Sequence, residues 1–125
     1  MAKKNVEISE YELAALQVLW DRGSATIRQI TEEIYGETTN VKYATVQKLL
    51  ERLENKKCVR RSRKSFAHNF SPLIDRSELI NHSLEKLAQR LCDGSLMPLL
   101  IHLAGNTRLT DSQRKTLHKL IDDSG

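Results

Sequence analysis

Residues 42–64 read KYATVQKLLERLENKKCVRRSRK, from Lys42 to Lys64, and the fold is decided there. The stretch holds nine Lys/Arg against Glu51 and Glu54, whereas the segment before it is acidic and the one after it neutral. The overall charge of +4 therefore conceals one strongly basic block. Such asymmetry is the footprint of a polyanion binder, most often nucleic acid; the blander alternative is a solvated, lysine-rich face. Val46, Leu49, Leu50 and Leu53 recur at i, i+3, i+4 and i+7, so the first half of the block is a helix with one side in a core. Its other side carries Ala44, Gln47, Lys48 and Glu51, with Lys42, Tyr43, Thr45 and Arg52 near the edges. Asn40 is placed to cap it. Small, polar and basic residues at a helix N-terminus suit a DNA groove, and the free N–H groups there favour phosphate.

After Asn55-Lys56-Lys57 the apolar period falls to two. Cys58–Arg61 and Phe66–Phe70 are expected as short strands joined by a polar turn at Ser62 to Ser65. Phe66, His68 and Phe70 would share one face, Ala67 and Asn69 the other. Pro72 cannot donate to a ladder and ends the second strand. Arg61, Arg63 and Lys64 gather at the hairpin tip.

Upstream, Ser9 and Glu12 form a capping box, with Ile8 and Leu13 spaced as a hydrophobic staple. Leu13, Leu16, Val18, Leu19 and Trp20 supply an apolar face up to the Asp21-Arg22-Gly23 stop. Trp20 completes that face and is expected in the core. Ser24-Ala25 is a short extended link. Thr26 and Gln29 repeat the capping box, and Ile27, Ile30 and Ile34 follow at helical spacing as far as Gly36. Three helices, a short strand and a basic-tipped hairpin make a winged helix-turn-helix over residues 1–73. The fold class is mainly α with a small β wing.

From residue 74 to 125 the pattern is helical. Asp75 with Glu78, Ser95, and Thr110 with Gln113 are the expected caps, and Pro98 is tolerated in a first turn. The apolar positions are Leu79, Ile80, Leu84, Leu87 and Leu91, then Leu99, Leu100 and Leu103, then Leu117, Leu120 and Ile121. Three short helices bury such faces poorly alone. A two-fold homodimer would cover them and set two third helices for successive grooves. The alternative is a tail folded back on its own winged domain.

At 125 residues, 39% apolar and 29% charged, the chain has a soluble globular composition. No apolar run is long enough to span a bilayer, and MAKKNVEISEYE lacks a signal-peptide core, so no membrane association and a cytoplasmic location are expected. Cys58 and Cys92 stand far apart, and His68, His82, His102 and His118 lack ligand spacing, so no metal or other cofactor is expected. GxGxxG, Walker, GxSxG and HExxH patterns are absent, which argues against an enzyme.

ISEYELAALQVLW, YATVQKLLERLENKKCVRR and FSP resemble the BlaI/MecI/CopY family of bacterial repressors. Glu12, Trp20, Thr45, Val46, Leu49, Leu50, Arg52, Leu53, Lys57, Phe70 and Pro72 carry the resemblance, and length and element order match throughout. It implies a winged-helix repressor that dimerises through its helical tail. Antibiotic-responsive members are released by cleavage at an Asn-Phe pair, which His102-Leu103 replaces here. Copper-responsive members carry a C-terminal cysteine cluster, whereas this chain has no cysteine after Cys92. The resemblance therefore leaves the inducing signal, and any sensor or protease partner, unidentified.

Gln47 and Lys48 are the foremost base-edge candidates, Gln suiting adenine and Lys guanine. Tyr43 and Ala44 join them on the same helix. Lys42, Thr45, Arg52, Arg60, Arg61, Arg63 and Lys64 are phosphate candidates, although strand alternation turns some wing cations away and Thr45 has the option of bonding back into its helix. The expected function is a homodimeric, sequence-specific repressor on a pseudo-palindromic double-stranded operator. The alternative is a winged-helix adaptor for protein or RNA, whose cations match an acidic partner.

Overall fold

The computed structural model describes residues 7–64, 67–106 and 108–124. The elements run α1 (Glu10–Arg22), β1 (Ala25–Thr26), α2 (Ile27–Tyr35), α3 (Asn40–Asn55), β2 (Val59–Lys64), β3 (Ala67–Pro72), α4 (Arg76–Leu91), α5 (Met97–Asn106) and α6 (Asp111–Ser124). The chain is mainly helical with one three-stranded antiparallel sheet in the order β1-β3-β2. It divides into two units, Met1–Ser83 and Leu84–Gly125, and the division falls inside α4.

Local signals place the first unit's helices. Ser9 Oγ accepts from the Glu12 N–H at 3.2 Å while the Ser9 N–H donates to Glu12 Oε1 at 2.9 Å. Thr26 and Gln29 make the same reciprocal pair at 3.2 and 2.9 Å. Gly23 and Gly36 end α1 and α2 at φ 84° and 81°, a region a side chain rarely enters. α3 departs from expectation at its start: Thr39, not Asn40, is the cap. Thr39 is extended (φ −116°, ψ 166°) and its Oγ1 accepts from the Lys42 N–H at 3.2 Å, so Asn40 is already helical.

At its other end α3 stops in a Schellman arrangement. The Cys58 N–H donates to the Leu53 carbonyl at 2.9 Å and the Lys57 N–H to Glu54 at 3.0 Å. Lys57 takes the left-handed position usually given to glycine, at φ 61°.

The wing is longer than its apolar pattern implies. Ser62, Arg63 and Lys64, expected in the turn, belong to β2 and pair with Asn69, His68 and Ala67. Backbone hydrogen bonds sustain an edge ladder without apolar side chains, which is why the pattern understates it. The expected Ser65 turn residue and Phe66 lie outside the described residues, as does the Lys64 side chain. Pro72 closes β3 as expected, opposite Val59. β1 pairs with β3, Ala25 opposite Phe70, and so ties the α1–α2 link to the wing.

Leu16, Leu19, Ile30, Val46, Leu50, Leu53, Val59 and Phe70 are buried in one core, joined by Ile74 and Leu79. Leu79 thus belongs to the first unit's interior, although its sequence spacing grouped it with the tail's pairing positions. Trp20 packs at the core margin, its indole N–H donating to the Ile74 carbonyl at 2.8 Å and Arg76 lying 5.1 Å above its ring.

Asp75 and Glu78, still in the first unit, cap α4 reciprocally from the preceding turn; in the second unit Thr110 and Gln113 cap α6. The Met97 N–H donates to Ser95 Oγ at 3.3 Å ahead of α5. Of the chain's buried apolar residues, only Ala88 lies in this unit among the described residues. Leu91, Met97, Ile101, Leu103, Leu120 and Ile121 are all more than half exposed. No helix among the described residues is long and apolar enough to cross a membrane.

Candidate nucleic-acid interface

α3 is held by its apolar side: Val46, Leu49, Leu50 and Leu53 are buried against the first unit's other elements. At 100° per residue, the direction opposite that side is occupied by Val41, Ala44, Lys48 and Glu51, with Gln47 and Arg52 flanking them. All six are exposed. Among the described residues, the side chains of Gln47, Lys48 and Arg52 make no hydrogen bond or ion pair, so their polar groups remain available to a ligand.

The nine cations of the basic block are not equivalent. Lys42 turns toward α2, its Nζ 2.6 Å from Glu37 Oε1 and 5.7 Å from the Tyr35 ring. Hydrogen bonding and charge from Lys42 hold the exposed Glu37 carboxyl below the usual glutamate range. Lys56 points to α1, with Nζ 2.9 and 3.0 Å from the Glu12 oxygens and 2.7 Å from the Glu7 carbonyl. Arg61 bonds Glu54 at 3.1 Å and covers the ring of its cross-strand partner Phe70 at 5.1 Å.

Among the described side chains of the block, the unspent charges are Lys48 and Arg52 on α3, Lys57 at its end, and Arg60 and Arg63 on β2, all exposed. Arg60 lies opposite Ser71, on the face of β2 turned from Phe70, and Arg63 opposite His68. Thr45 takes the second of its two sequence options: its hydroxyl donates to the Val41 carbonyl at 2.9 Å. Tyr43 is 39% exposed at the border of the buried side.

The family model described as penicillinase repressor matches residues 8–123. The chain belongs to that family. The penicillinase repressor of Staphylococcus aureus is 25% identical over 125 residues, covering 98% of this chain and 97% of that one. The penicillinase repressor of Bacillus licheniformis is 23% identical over 121 residues, 97% of this chain and 94% of that one. The transcriptional regulator BlaI of Mycobacterium tuberculosis is 30% identical over 121 residues, with 94% and 87% covered. A solved structure described as the DNA binding domain of the repressor BlaI matches 62% of this chain and 93% of its own at 23% identity, with a TM-score of 0.50, a likeness of fold.

One residue and one pairing escaped sequence reasoning. Val41 is absent from the candidates drawn from the sequence, although its spacing puts it opposite the core side; the wheel angle is the signal that finds it. The Glu12–Lys56 pair spans 44 positions, and no local pattern announces it.

Proposed function

We propose that the protein is a sequence-specific, DNA-binding transcriptional repressor that acts as a homodimer on a two-fold operator. One observation carries the reading. The outward side of α3 and the β2 edge together bear Lys48, Arg52, Arg60 and Arg63, exposed and unpaired among the described residues, on a helix anchored by its opposite side. α3 would lie in the major groove with Gln47 and Lys48 at base edges. Arg52, Arg60 and Arg63 would neutralise phosphates, and Arg61 would brace the wing against Phe70 and Glu54. Lys42 and Thr45, committed within the fold, would contribute less to binding. The family membership supports the reading, as do the names of the relatives.

Occlusion of a promoter is the simplest action for such a dimer. Release requires a signal that weakens either the dimer or the α3 contact, delivered by a sensor or protease partner; the His102-Leu103 pair in α5 gives no support to the Asn-Phe cut.

The test is an anisotropy titration on the promoter beside the gene and on random duplex, across salt concentrations. With Arg52, Arg60 and Arg63 contacting phosphate in both protomers, log K should fall against log salt with a slope of about −5. Arg60→Ala and Arg63→Ala should each flatten the slope and weaken all sequences similarly. Arg61→Ala should change the slope less than either. Equal affinity for promoter and random duplex would favour an adaptor instead.

A further inference from the structure

Val41 is the second residue of α3 and 76% exposed, more than any other large apolar side chain described. A lone surface valine is unremarkable in general. This one stands where a base-reading helix would meet its ligand, directly across from the buried Val46 and Leu50. Its neighbours on that side are Ala44, one turn on, and Thr45. The Thr45 hydroxyl is turned back onto the Val41 carbonyl, which leaves the γ-methyl as the other group of this exposed side chain. Val41, Ala44 and Thr45 therefore form a patch of carbon toward the groove, flanked by the exposed Asn40 before it and by Gln47 and Lys48 after it.

The major groove carries one apolar group, the 5-methyl of thymine. We propose that Val41 is a specificity-determining residue that reads a thymine 5-methyl group, with Ala44 and the Thr45 methyl completing the contact. The occupant is duplex DNA because Lys48 and Arg52 continue the same side of the helix with charges that make no ion pair among the described residues and outnumber Glu51 there. The inference rests on the DNA-binding reading. It predicts that the N-terminal end of α3 discriminates by the presence of a methyl group, while discrimination by hydrogen bonding lies nearer Gln47 and Lys48.

The full-length protein is first used to enrich its site from a random duplex library. Each thymine of that site is then replaced singly by deoxyuridine, which removes the methyl and keeps the pairing. Wild type should lose about fourfold in affinity at one thymine in a half-site, the worth of one methyl removed from water. Val41→Ala should bind the thymine site more weakly and be indifferent to uracil at that position. If no uracil substitution changes wild-type affinity by more than twofold, the inference is overturned. It is overturned equally if Val41→Ala retains the full uracil penalty. Failure to enrich any duplex would instead bring down the DNA-binding reading, and the inference with it.

Discussion

Glu12 carries its carboxylate inside the first unit, its side chain only 3% exposed, and the Lys56 ammonium closes on both of its oxygens. Burial alone would raise the Glu12 carboxyl. The hydrogen bonds from Lys56 and Ser9, with the Lys56 charge, outweigh burial and hold it below the ordinary glutamate value. A depressed folded-state value means the unfolded chain takes up the proton first. The pair's contribution is therefore complete above about pH 4.5 and is lost as pH falls through the folded value. Lys56→Met leaves a buried charge unpaired and should cost about 3 kcal/mol at pH 7 in urea unfolding. Glu12→Gln, which leaves Lys56 its bond to the Glu7 carbonyl, should cost less and flatten the loss of stability below pH 4.5. Unchanged stability of Lys56→Met at neutral pH would refute this account. Read locally, Lys56 is one more cation of a DNA-binding block; only the tertiary fold assigns it to α1. The same holds for Arg61, whose partner Glu54 belongs to another element. Charge counting thus points to the proposed interface and overestimates how many cations it has to spend.

At the scale of elements, legibility follows how local each signal is. Capping boxes at Ser9, Thr26, Asp75 and Thr110 span three residues each and are all present. The cap of α3 is Thr39 where the sequence pointed to Asn40, because Thr38, Thr39 and Asn40 are consecutive residues with capping side chains. Backbone conformation decides among them, and sequence does not carry it. Thr39→Ala should therefore destabilise the unit by about 1 kcal/mol, and Asn40→Ala by much less. A reversed order in paired thermal melts would restore Asn40 as the cap. At the far end, Lys57 pays for a left-handed backbone without glycine. Lys57→Gly should stabilise by about 1 kcal/mol, the steric penalty relieved, measured by chemical denaturation. β1 was legible only as a link: two residues cannot display a period, and their pairing with Phe70 and Asn69 is a long-range event.

For the whole molecule the decisive asymmetry is between a first unit with a core and a second unit in which, among the described residues, Ala88 is the one buried apolar side chain. Residues 84–125 expose Leu84, Leu87 and Leu91 on α4, Met97, Leu100, Ile101 and Leu103 on α5, and Leu117, Leu120 and Ile121 on α6. α5 is exposed at apolar positions around most of its circumference, so covering one side would not suffice; a helix apolar all round requires burial on all sides. A second copy of the same unit would supply matching apolar surface under two-fold symmetry, as the proposed dimer requires. Linking two DNA-binding units in such a dimer would raise affinity for a two-fold site by about 100-fold or more over one unit, through effective concentration alone. Leu120→Glu combined with Ile121→Glu places charge on the apolar side of α6 and should convert the dimer to a monomer in sedimentation velocity. The same variant should lose most of its affinity for the full operator while binding an isolated half-site as wild type does, because α3 and the wing are untouched. A wild type that sediments as a monomer at micromolar concentration would refute the dimer. A double variant that loses half-site binding as well would show that the tail supports the first unit rather than joining two of them.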